Sequence, residues 1–192
     1  MTVEESGWVG RWSPGIGDPT VAGWVTVIAY AVALFLCLRA YRRCKLFPEA
    51  AAERRIWGLL SAGLLALGIN KQLDLQTALT EAARGLARQQ GWYEGRRPIQ
   101  AAFVLGVAVL GALTAIWMWR QARKGGPALR HAILGAVVLT AFVVIRAASF
   151  HYVDILIGES LVGLRLNVIL ELGGIGWVAY GASKVSEARR LS

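Results

Sequence analysis

The chain has 192 residues, 56% of them hydrophobic and 17% charged, with a mean hydropathy of +0.48 and a formal net charge of +9. Charge well below the usual quarter of residues fits a polytopic membrane protein better than a soluble domain. The net positive charge does not point to nucleic acid, because no basic, aromatic-interleaved surface and no nucleic-acid motif is present.

Residues 1–19 lack a basic region followed by an apolar core, so they read as an extracytoplasmic tail and not as a cleaved signal peptide. Within them GIGD, residues 15–18, lies in a Pro- and Gly-rich stretch and reads as a turn. Five apolar runs follow, at about 21–38, 56–73, 99–119, 132–151 and 161–182. Each approaches the roughly 20 residues that cross a hydrocarbon core of about 30 Å. They are too long and continuous for barrel strands, so the expected fold class is an all-α integral membrane bundle of five transmembrane helices. The bundle domain is expected over 20–183, with a cytoplasmic tail at 184–192.

Cys37 and Cys44 fall at one end of the first run. Seven residues apart on one helix, they are expected to point in different directions and to remain free thiols. The turn after the first run carries Arg39, Arg42, Arg43, Lys45, Arg54 and Arg55. The turn after the third carries Arg120, Arg123, Lys124 and Arg130, and the C-terminal tail Lys184, Arg189 and Arg190. The positive-inside rule puts these on the cytoplasmic side, with the N-terminus outside and the C-terminus inside. The expected location is a bacterial plasma membrane. The loop between runs two and three also holds Lys71, Arg84, Arg88, Arg96 and Arg97, which count against the assignment. Trp8, Trp12, Trp24 and Trp92 then fall near the outer interface, and Trp57, Trp117, Trp119 and Trp177 near the inner one. One or two of these are expected to pack between helices.

Beyond the second run, residues 74–93 are rich in helix formers. Asn70, Asp74, Thr77, Glu81, Arg84 and Arg88 form a polar stripe opposite Leu75, Leu79, Ala82 and Leu86. The spacing predicts an amphipathic extension that either continues the second helix or lies on the membrane surface. Runs one–two and three–four share a layout at an offset of about 80 residues, which sets Asp74 opposite Asp154.

The candidate chemistry lies at the outer ends of the spans. Run two ends in Asn70, Lys71, Gln72 and Asp74; run four ends in Arg146, Ser149, His151, Tyr152 and Asp154; run five begins with Arg165, Asn167 and Glu171. A carboxylate near mid-membrane, as Glu171 should be, costs a few kcal/mol and marks a functional site by default. An ion pair with Arg146, with Asn167 one turn away, would satisfy it and would equally serve to orient two helices. His151 and Asp154 share a helix face and, with Asp74, could bind a divalent metal such as zinc or manganese. They could equally act as a general acid–base pair, and an interfacial histidine bonded to water is the plain alternative.

His131 and His151 lie about 30 Å apart on one helix, so paired haem ligation is disfavoured. HExxH, GxSxG and nucleotide-binding loops are absent. Glycines 58, 63, 68, 106, 111, 173, 174 and 176 are expected to let helices pack closely.

Two functional expectations follow. One is a membrane enzyme acting on a lipid or other amphiphile. Asp74, His151, Asp154 and Glu171 would be its acid–base or metal groups, and Asn70, Lys71, Arg146, Arg165 and Asn167 its binding residues. The other is a non-enzymatic accessory, assembly or transport subunit whose polar cluster binds a partner membrane protein, an ion or a lipid. Membrane lipids are expected partners in both, and nucleic acid in neither.

Overall fold

Thr20 starts the first helix by accepting from Gly23 N at 3.1 Å, satisfying one of the orphan donors of the first turn. The helix, α1, runs Val21–Cys44. A short 3-10 turn at Pro48–Ala50 leads into α2, Ala51–Leu73. Then come α3, Arg96–Ala122; α4, Pro127–Leu156; and α5, Leu161–Ala188. Pro127 opens α4 after Gly125 and Gly126, where its missing N–H costs nothing.

The computed structural model describes residues 13, 15–74, 77–78, 81–82, 85–86, 89, 96–123, 125–156 and 161–188. Within 96–101, 103–104, 122, 147–156, 161–167 and 186–188 it describes the backbone only. Among the described residues there are five long helices and no strand. Three of them, over Val21–Cys44, Pro48–Leu73 and Pro127–Arg146, carry stretches long and apolar enough to cross a membrane.

The packing order is α2, α1, α5, α4, α3, so α1 and α5 are central and α3 is peripheral. The buried stripe of α1 is Gly23, Thr26, Tyr30, Ala33, Cys37, Ala40 and Cys44, spaced three and four residues apart. Its large apolar residues, among them Val25, Ile28, Val32 and Phe35, point outward. Small or polar inside and large apolar outside is the pattern of a helix surrounded by lipid, where close backbone approach drives association. Both cysteines lie on this stripe and neither is in a disulfide; that they share a face is contrary to the expectation of divergent directions. Seven residues make almost two full turns, so the thiols share a face about 10 Å apart along the axis.

The tightest approach joins α4 to α5. A Cβ on Gly135 would meet Val178 N at 2.6 Å and Gly174 O at 2.7 Å; one on Gly181 would meet Ala132 N at 2.5 Å. Gly174 and Gly111 also face close neighbours, Leu139 and Thr140, and Gly68 lies against Tyr30. Gly63, Gly106, Gly173 and Gly176 meet nothing within 4 Å, so they do not serve the packing role expected of them. Gly135 and Gly181, which do, carry no local sequence signal that separates them from the others.

Thr26, Ser61, Thr114 and Thr140 each return their hydroxyl to the carbonyl four residues back, which satisfies the group within its own helix. Trp57 is fully buried between helices, while Trp24, Trp117, Trp119 and Trp177 are at least two-fifths exposed. Trp8, Trp12 and Trp92 lie outside the described residues. Gly126 N donates to Glu53 Oε1 at 3.3 Å, which joins the α3–α4 turn to the start of α2. Both basic turns therefore lie at one end of the bundle, and the close pairing of Gly181 with Ala128 and Ala132 brings the last turns of α5 there too.

The second helix does not run straight on past Leu73. Asp74 is its C-cap with φ 47° and ψ 49°, the only non-glycine residue with positive φ among the described residues. Aspartate enters the left-handed region more readily than most residues. Its carbonyl then accepts from Thr77 N at 3.0 Å and Ala78 N at 3.3 Å, and the described residues between 77 and 89 are again helical. The extension is thus a second helical stretch set off by a break at Asp74.

Candidate functional site

The end of the bundle opposite the basic turns holds a linked set of polar groups. Glu171 lies on α5, 5% exposed, in place of an apolar core residue. One oxygen accepts from the Tyr30 hydroxyl of α1 at 3.2 Å. The other lies 3.6 Å from Lys71 Nζ, on the last turn of α2. A single carboxylate thereby ties together three helices. A buried charge needs such partners, because leaving it unpaired costs several kcal/mol.

Lys71 has a second partner. Its ammonium is 3.3 Å from Asp18 Oδ2, in the segment before α1. That segment is strapped over the end of α2, with Gly17 N donating to Gln72 O at 2.7 Å. A Cβ at residue 17 would crowd Gln72 O and Asp74, and one at residue 23 would collide with Asp18, so two glycines let the strap lie close. Asp18 is further held by the Thr20 hydroxyl, which donates at 2.6 Å, and by Thr20 N at 3.2 Å. The hydrogen bond from Thr20 and the nearby Lys71 ammonium hold the Asp18 carboxyl below its ordinary value of 3.8, against a smaller opposing effect of burial.

The ion pair at Glu171 is made by Lys71, where the sequence suggested Arg146. The reason is geometric: α5 packs directly on α1, and α1 on α2, which brings the end of α2 over Glu171. Arg146 is half-buried on α4. Asn70 is half-buried, and its carbonyl accepts from Asp74 N at 2.9 Å. Asp74 is half-buried at the helix break, and among the described residues its carboxylate joins no ion pair. The side chains of His151, Asp154, Arg165 and Asn167 lie outside the described residues, although their backbones belong to α4 and α5. Among the described residues no group of three His, Cys, Asp or Glu could hold a metal. His131, at the basic end, accepts from Trp177 Nε1 at 3.3 Å through Nδ1 and meets the Tyr180 ring edge-on at 5.5 Å.

Two members of the cluster escaped the sequence reading. Tyr30 carries a faint signal, a phenol set mid-way along an otherwise apolar run, where its hydroxyl must find a partner. Asp18 carries almost none, since GIGD reads as a turn and nothing local reveals that the turn folds onto α2.

Chemically, the arrangement is a cation held between one buried and one accessible carboxylate. Asp18 is the more accessible partner: its side chain is 30% exposed against 6% for Glu171. No protein family, no curated protein and no solved structure matches the chain.

Proposed function

We propose that the chain is a five-span plasma-membrane protein that binds an anionic amphiphile at this polar cluster, with the N-terminus and cluster outside and the C-terminus in the cytoplasm. The observation that carries the reading is the shared Lys71 ammonium, 3.3 Å from Asp18 and 3.6 Å from Glu171. In this reading Asp18 occupies the place of the anionic head, Lys71 receives it, and Glu171 with Tyr30 holds Lys71 in position. Arg146 adds positive charge on the α4 side. The role is binding, in an accessory or transport setting: both oxygens of Glu171 are already engaged, one by the Tyr30 hydroxyl and the other by Lys71. The exposed apolar faces of α1 and α3 support lipid contact.

Titration of the purified chain with dodecyl phosphate, followed by thermal unfolding in detergent, tests this reading. Asp18→Asn removes the internal competitor and should tighten binding, while Lys71→Met should abolish it. Unchanged affinity in Asp18→Asn, or turnover of a lipid ester that depends on Glu171, would sink the binding reading.

A further inference from the structure

A groove of about 350 Å³ runs along the opposite end of α1, lined by Phe35, Leu38, Arg39, Arg42, Arg43 and Leu46. These residues recur three and four apart, so they share one face of the helix and its exit. The face is unusual in composition. Phe35 and Leu38 are exposed apolar groups on the membrane side, three arginines follow, and Leu46 stands 75% exposed beyond the helix end. Among the described residues no carboxylate lines the groove.

We infer that this groove is a binding site for an anionic phospholipid of the leaflet into which the basic end of α1 opens. Charge complementarity and depth select the occupant together. An acyl chain lies along Phe35 and Leu38, where an apolar groove offers contact with a hydrocarbon tail. The phosphate then arrives at the level of Arg39, Arg42 and Arg43, whose guanidinium groups can chelate phosphate oxygens in pairs. A zwitterionic lipid fills the same groove but gains less at the arginines, because its own cationic group offsets the attraction. This site is separate from the Lys71 cluster, which lies at the other end of the helix.

The test is native mass spectrometry and thermal unfolding of the full chain in detergent, with phosphatidylglycerol or phosphatidylcholine of identical acyl chains added. Phosphatidylglycerol should be retained preferentially, with each arginine contributing about fivefold. Arg42→Ala/Arg43→Ala should therefore lower the preference by about 25-fold. Arg120→Ala/Arg123→Ala, in the other basic turn, should leave it intact. Leu46→Asp provides a variant that does not touch the core, and it should lose the preference by placing a carboxylate beside the arginines. Equal retention of both lipids by the unaltered chain would overturn the proposal. So would an equal loss in Arg120→Ala/Arg123→Ala, a preference that survives in Leu46→Asp, or binding of polyglutamate in place of the lipid.

Discussion

At the basic end, helices meet through Trp57, Ile56, Leu129, Ile133, Val178 and Gly181, most of them fully buried and none of them charged. At the other end, α1, α2 and α5 meet through Tyr30, Lys71 and Glu171, and the chain before α1 is drawn in by Asp18. The first end is held by shape. Its stability comes from dispersion contacts that lipid tails cannot match once side chains interlock. The second end is held by satisfied charge, and its members depend on one another far more than packed methyl groups do. The difference teaches where change is tolerated. A packed end degrades gradually as contacts are lost. A polar end fails when one partner is removed and the other is stranded.

The largest expected effect breaks that second end directly. Lys71→Met leaves Glu171 buried without its cation and should cost about 3–5 kcal/mol in reversible unfolding from detergent. Adding Glu171→Gln to the same chain should recover most of that loss, since a neutral amide needs no counter-charge. A double variant as unstable as Lys71→Met alone would show that the pair does not act as a unit. Trp57→Ala is the matching lesion at the packed end. It should cost about 3–5 kcal/mol through the cavity it leaves, with no rescue by any charge change.

A smaller effect is expected where helices touch backbone to backbone. Gly181→Val sets a side chain against Ala132 N and Ala128 O, and should cost about 1–3 kcal/mol by forcing α4 and α5 apart. Crosslinking between cysteines introduced into those two helices would report the separation. Tyr30→Phe removes one hydrogen bond to a charged acceptor and should cost about 1.5–3 kcal/mol, comparable to the glycine lesion. Its loss should be smaller in a Glu171→Gln background.

The smallest effect concerns the strap. Asp18 has a lowered folded-state pKa, so its contribution is fully present above its ordinary value of 3.8 and is lost as pH falls through the lower, folded value. Limited proteolysis ahead of α1 should therefore accelerate only in strongly acidic buffer, and Asp18→Asn should remove that acceleration. A midpoint near neutral pH would point to a different group.

Much of the fold was legible because lipid leaves so few choices: long apolar runs must satisfy their backbone internally, and helices do so. The expected runs lie within the five observed helices, which extend beyond the apolar stretches at most ends, by five residues past 151 on α4 for example. Asp74 was legible as an unusual residue. Its role as a helix stop was not, because a left-handed residue is one of several outcomes open to the same local sequence. Glu171 stood out for the cost of a carboxylate in an apolar run. Its partner did not, since choosing between Lys71 and Arg146 requires knowing which helix lies beside α5.

By itself, then, the sequence determined that this chain is helical, suited to a membrane, basic at one end and mixed in polarity at the other. These are local or compositional properties, set by hydropathy and by the positions of Lys and Arg along the chain. Only the tertiary structure decided that α1 lies between α2 and α5, that Gly135 and Gly181 form the closest helix contact, and that Asp18, 53 residues before Lys71, closes over it. Each of these depends on helix neighbours and on the few ångströms between groups remote in sequence, which no single run of residues encodes.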